Sequence, residues 1–170
     1  MNTPWGYSQS VDVIANGLVS VSTAGHGGFK LSAERWAELQ REFPTFGDGY
    51  AGAGWLEEDC DATLAVILWP ECFPPQSVYY GCEMATGYDY LAKHTKAFFE
   101  TEKGKKALAI ANRFALDHVD VWHRGSCWTE RSGGWGVSLQ RKGEKRTVCF
   151  REYPSKSFYT DEEVEVLSAV

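Results

Sequence analysis

The residues best suited to chemistry in the first half of the chain are His26 and a run of acids at Glu57, Glu58, Asp59 and Asp61. His26 stands among glycines, in the segment Ser22-Thr-Ala-Gly-His-Gly-Gly28. Imidazole and carboxylate groups together can ligate a divalent ion or act as an acid–base pair, and a glycine turn lets a ligand approach the backbone closely. Consecutive N–H groups at Gly25, Gly27 and Gly28 would suit an anion-binding nest. The alternative is equally concrete: a turn histidine that bonds backbone, beside acids that stabilise a helix start. No HExxH-type spacing selects between them, and neither a cofactor nor a resident metal is expected from any motif.

A second pairing is His123 with Cys127, in Trp122-His-Arg-Gly-Ser-Cys-Trp128. A nucleophilic thiol needs a base within reach and a lowered pKa, which Arg124 and Arg131 would favour. Strand alternation explains His123 without any such role. His94 fits the outer edge of a helix face, and His118 falls just past a helix end, where its charged form suits the dipole. The five cysteines are odd in number and widely spaced without a CxxC pair, which points to free thiols instead of zinc or a disulfide framework. Walker, dinucleotide and G-x-S-x-G signatures are absent from the sequence.

The elements that must position these groups follow from periodicity. Leu18–Thr23 reads as a β-prone strand run of mixed face, followed by the glycine turn and a second strand end. Ser32 is a good N-cap, Glu34 suits the first turn, and Leu31 with Trp36 suits a hydrophobic staple. Trp36, Leu39 and Phe43 then repeat at helical spacing until Pro44. Residues 46–55, with four glycines, read as a mobile loop. A helix is expected from about Glu57 to Trp69, although the apolar run there also fits a buried strand. PECFPPQSVYYG reads as an irregular connection, Thr86 and Asp89 as a capping box for a helix with Leu91, Thr95 and Phe98 along one face, and Glu102–Asp117 as a second helix in which Gly104 costs little. Val119, Val121 and His123 are expected on one strand face, opposite Trp122 and Arg124. Trp135, Val137 and Leu139, then Val148 and Phe150, continue the alternation, with a hairpin turn at 142–144. Thr160 and Glu163 form a capping box for a last helix. The expectation is one α+β domain over 1–170, with an antiparallel C-terminal meander plus N-terminal strands against four or five helices.

Charge is laid out in blocks. Residues 42–92 contain nine acids and no Lys or Arg, whereas 93–156 contain fourteen basic and seven acidic residues. Such segregation suits either two solvated faces that attract each other or a partner surface. The net charge of −6 counts against direct nucleic-acid binding. No apolar run approaches the ~20 residues of a membrane span, and the N-terminus lacks signal-peptide features, so a cytosolic location is expected.

The Thr-Pro-Trp-Gly opening, the Val21–Ser32 segment VSTAGHGGFKLS and Glu-Glu-Asp at 57–59 resemble an uncharacterised domain of phage- and plasmid-encoded bacterial proteins. That domain carries a PWG, VST-x-x-HGG-x-x-LS and EED pattern, matched here over residues 3–70. The resemblance brings no catalytic assignment. It implies a mobile element, where small proteins counter host defence. The leading expectation is therefore a protein-binding inhibitor of a bacterial defence system, acting through the 42–92 surface with Glu57, Glu58, Asp59, Asp61, Trp55, Gly27 and Gly28. The alternative is a small enzyme using His26 with Glu58 or Asp59 on a phosphorylated or nucleotide substrate.

Overall fold

Small polar and β-branched residues alternate after Gly17, and this run builds the sheet that carries His26. The computed structural model describes residues 1–131, 133–141, 144–154 and 156–168, and the chain divides into two compact units, Met1–Ala115 and Leu116–Val170. The first unit opens with a short hairpin, Asn2–Thr3 (β1) and Gly6–Tyr7 (β2). Ser10–Ala15 (β3), Leu18–Ser22 (β4), Gly27–Leu31 (β5) and Trp55–Glu57 (β6) then form an antiparallel sheet in that order. The expected strand, turn and second strand are present. Strand β3, SVDVIA, was not singled out from the sequence.

Helix α1, Ala33–Glu42, starts where expected: the Ser32 hydroxyl accepts from the Arg35 N–H at 3.3 Å. Leu39 and Phe43 from its inner face are fully buried. The next helix departs from expectation. Glu57 ends strand β6, and helix α2 occupies only Ala62–Leu68, with no acid in its first turn. Pairing Leu56 with Phe29 in the sheet buries Leu56 completely, and this outweighs the modest dipole gain of a helix begun at Glu57. Six of the seven residues of α2 are buried, as suits a central helix.

The proline-rich connection proves to be the start of a helix. Helix α3 spans Pro75–Gly87, with Pro75 in the first turn, where its missing N–H has no helical partner to lose. Thr86 therefore lies inside α3 and donates to the Cys82 carbonyl at 2.9 Å instead of capping. Helix α4 follows at Asp89–Thr95, and α5 spans Glu102–Asp117 as expected. Gly104 is not a tolerated defect: a Cβ there would collide with the Phe98 carbonyl. Leu18, Leu56, Leu64, Ile67, Leu91 and Phe98 centre the core of this unit.

In the second unit, Trp122–Thr129 (β7), Trp135–Arg141 (β8), Glu144–Phe150 (β9) and Phe158–Tyr159 (β10) pair antiparallel in the order β10-β7-β8-β9. Helix α6 follows at Asp161–Ser168. Among the described residues there are thus six α-helices in an α+β fold. Val137, Leu139, Val148 and Phe150 face the core as expected, but β7 begins only at Trp122, whose side chain is buried, and Val119 lies before the strand and is exposed. The Trp122 indole donates to Asp161 at 2.7 Å and lies under the Arg141 guanidinium, at 4.3 Å, which fixes it inward. The turn expected at 142–144 falls on Lys142 and Gly143, outside the described residues. The capping box is present: Thr160 N–H donates to Glu163, and Glu163 N–H donates to the Thr160 hydroxyl. All five cysteines are free thiols, and among the described residues no helix is long and apolar enough to cross a membrane.

Candidate functional site

The turn between β4 and β5 closes on a threonine. Thr23 N–H and its hydroxyl both donate to the His26 carbonyl, at 2.7 and 2.8 Å, and His26 N–H returns to the Thr23 oxygen at 3.1 Å. The His26 side chain, 57% exposed, projects from this turn. Strand β5 then pairs with β6 so that Gly28 lies opposite Glu57. Any side chain at 28 would strike the Leu56 carbonyl and the Trp5 ring, and a Cβ at 27 would strike the Glu58 carboxylate. The glycines thus permit the close approach that sets two carboxylates beside the histidine.

Their geometry is specific. His26 Nδ1 lies 3.8 Å from Glu57 Oε1, and the Glu57 side chain is only 14% exposed. One donor atom each from His26, Glu57 and Glu58 falls within 4.8 Å of the others. Glu58 N–H donates to the Gly27 carbonyl at 3.1 Å, and Asp59 N–H donates to Glu57 Oε2 at 3.0 Å. The expected anion nest is absent: Gly27 and Gly28 pair with Ser22 and Val21 in the sheet, and a carboxylate lies over Gly27. Glu58 also lines a groove of about 470 Å³ that includes Ser20, Ser22, Thr63 and Ser77. The groove was not legible in the sequence, because its walls come from β4, β5, α2 and α3.

The remaining expected residues are placed differently. Asp59 is exposed but lies outside the three-donor group. Asp61 is fully buried, so it belongs to no binding surface; its Oδ2 accepts the Tyr50 N–H at 2.9 Å. Burial pushes its carboxyl above the usual range, against the pull of that N–H. Burial, then the charge of Asp61, push the neighbouring Cys60 thiol and Tyr90 hydroxyl each up to about 12. Trp55 packs edge-on against Trp5 at 5.8 Å with the Lys30 ammonium 5.3 Å from its ring, a scaffold role more than a free aromatic surface. His94 bonds Thr45 at 2.8 Å and is held below its usual pKa by burial and then by Lys93. His123 packs edge-on against Phe158 at 4.9 Å, and a bulge between Arg124 and Cys127 interrupts the alternation that linked it to the thiol.

Much of the charge segregation resolves inside each unit. Lys103 of α5 bonds Glu38 and Glu42 at 2.7 and 2.8 Å, and Lys106 bonds Glu71 at 2.9 Å. In the second unit Arg141 bonds Asp161 and Lys156 bonds Glu163. By contrast, among the described residues no Lys or Arg pairs with Glu57, Glu58 or Asp59. A further surface went unread in the sequence. Edge strand β3 and the preceding hairpin expose Tyr7 and Val13, each 76% accessible, together with Val11 and Ile14.

Residues 1–119 match the family described as a domain of unknown function (DUF7007), and the chain belongs to that family. Neither the curated proteins nor the solved structures contain a match.

Proposed function

We propose that this member of the DUF7007 family acts by binding another protein, whose extended segment adds to the open edge of β3. The observation that carries the reading is the edge itself. Strand β3 pairs with β4 on one side, and among the described residues no strand covers the other. Natural edge strands are protected by charge, proline, bulges or brevity; Ser10–Ala15 carries Asp12 and a bulge between Val13 and Ala15, yet its six residues include neither Lys nor Pro and expose Val11, Val13 and Ile14. Main-chain pairing would supply affinity, and pockets for alternate side chains would supply selectivity.

Residues 1–29 hold one acid, Asp12, and no Lys or Arg, so a partner strand of apolar and neutral or basic residues suits the surface better than nucleic acid does. The exposed Glu58 and Asp59 supply a second, acidic contact. The likeness to phage- and plasmid-encoded domains supports a host bacterial protein, in a defence complex of the cytosol, as the partner.

The test is affinity capture from bacterial lysate with the wild type, Val13→Lys, and the Glu58→Lys/Asp59→Lys double variant. The expected result is a stoichiometric partner whose recovery falls at least about tenfold with Val13→Lys, a loss of ~1.4 kcal/mol or more. Its complex should protect the amides of 10–15 from hydrogen exchange. A partner retained equally by Val13→Lys, without that protection, removes the edge reading.

A further inference from the structure

We infer that His26, Glu57 and Glu58 form a binding site for a divalent first-row transition-metal cation. The donor set is one imidazole and two carboxylates, which suits ions of the manganese-to-zinc series better than magnesium or calcium, whose sites are built from oxygen alone. All three donor atoms lie within 4.8 Å of one another. Two ligands each ~2.1 Å from an ion stand at most about 4.2 Å apart, so a small closing movement completes the site. The 57% exposed His26 side chain has the freedom to make it.

Two independent features support a ligand at this point. The first is preorganisation of both carboxylates. Glu57 Oε2 is occupied by the Asp59 N–H at 3.0 Å, which turns Oε1 toward His26, 3.8 Å away. Glu58 is anchored through its own N–H on Gly27, and the missing Cβ at 27 provides the space its carboxylate fills. Hydrogen bonds from neighbouring groups to the ligating side chains fix ligand orientation in metal sites.

The second feature is uncompensated charge. Glu38 and Glu42 share Lys103, and Glu71 has Lys106, whereas among the described residues no Lys or Arg pairs with Glu57 or Glu58, which lie beside the His26 imidazole. Two carboxylates held together repel, and a bound cation relieves that repulsion. Three protein ligands leave coordination positions open. Glu58 also lines the hydroxyl-bearing groove, so a cation here would orient a ligand with oxygen donors between the ion and Ser20, Ser22 or Ser77.

The experiment is isothermal titration of the tag-free full chain with Co²⁺, Mn²⁺ and Mg²⁺, beside His26→Ala and Glu58→Gln. His26 is exposed and Glu58→Gln is isosteric, so unchanged melting curves serve as the folding control. The expected result is one Co²⁺ per chain, bound at least about tenfold more weakly by either variant, with Mg²⁺ binding much weaker than Co²⁺. The optical spectrum of the Co²⁺ form should lack the intense charge-transfer band of thiolate ligation. Equal binding of Mg²⁺ and Co²⁺ would show mere acidity and overturn the site. Co²⁺ binding unaltered by both variants, a thiolate band, or no saturable binding at millimolar Co²⁺ would do the same.

Discussion

Asp61 is the residue whose environment is least expected of its type. Its carboxyl is fully buried at the start of α2, Oδ2 accepts one N–H, and among the described residues Oδ1 has no hydrogen-bond partner at normal distance. Burial raises its pKa, so across the carboxylate range the folded state keeps a proton that the unfolded chain has already lost. The sign follows: Asp61 costs stability progressively as pH rises from the unfolded pKa through the raised folded one, and the cost persists above it. Asp61→Asn retains an acceptor for Tyr50 and removes the charge. Urea denaturation at pH 8 should therefore show the variant more stable than wild type by on the order of 1 kcal/mol, with the advantage gone near pH 3. A constant difference between those pH values would mean that the carboxyl stays ordinary. Nothing around Asp61 in the sequence distinguishes it from Glu58 or Asp59. Burial is a property of the loop that folds over it, where Tyr50 stacks on Tyr90 at 5.4 Å.

Among the elements, α5 shows how a glycine inverts an ordinary expectation. Gly→Ala inside a helix usually gains about 1 kcal/mol. At position 104 the added methyl would collide with the Phe98 carbonyl, within the 3-10 turn Phe98–Glu100 that leads into the helix. Gly104→Ala should thus destabilise by about 1–3 kcal/mol, the scale of core overpacking, measured by urea denaturation. A gain in stability would show that the turn moves aside freely. Helices α1 and α6 were readable because caps and apolar spacing agree within each local segment. Helix α3 was hidden because prolines 74 and 75 look like breakers unless one knows that the helix begins at the second of them. Strand β6 was hidden because its three residues are defined by pairing with β5, and acids beside an apolar run carry the same local signal as a helix start.

At the scale of the molecule, the family match over residues 1–119 and the first compact unit, Met1–Ala115, nearly coincide. Each unit has its own apolar core. A chain ending at Val119 should therefore fold alone and melt cooperatively, and the full chain should show two separable transitions by calorimetry or hydrogen exchange. A disordered 1–119 fragment would show instead that the first unit depends on residues beyond it. The block charges have a similar resolution: acids from α1 and from the turn after α2 meet lysines of α5 inside the first unit, and each such partly exposed pair contributes roughly 0–1 kcal/mol.

Local rules in the sequence were enough for the α+β class, the Ser32 and Thr160 caps, and the inward faces of β8 and β9. Each rests on neighbours within about one helical turn or a strand pair, where propensity, capping and alternation act. Tertiary structure alone decided which acids meet His26, which one is buried, and which sheet edge lies open. Glu57 and Glu58 stand some thirty residues from His26, and only the β5–β6 register at Gly28 and Glu57 brings them to it. Asp59 and Asp61, one and three residues further on, are carried elsewhere by the turn before α2. Pairing register and burial are long-range properties, set by which strands and helices share one core, and no window of local sequence contains them.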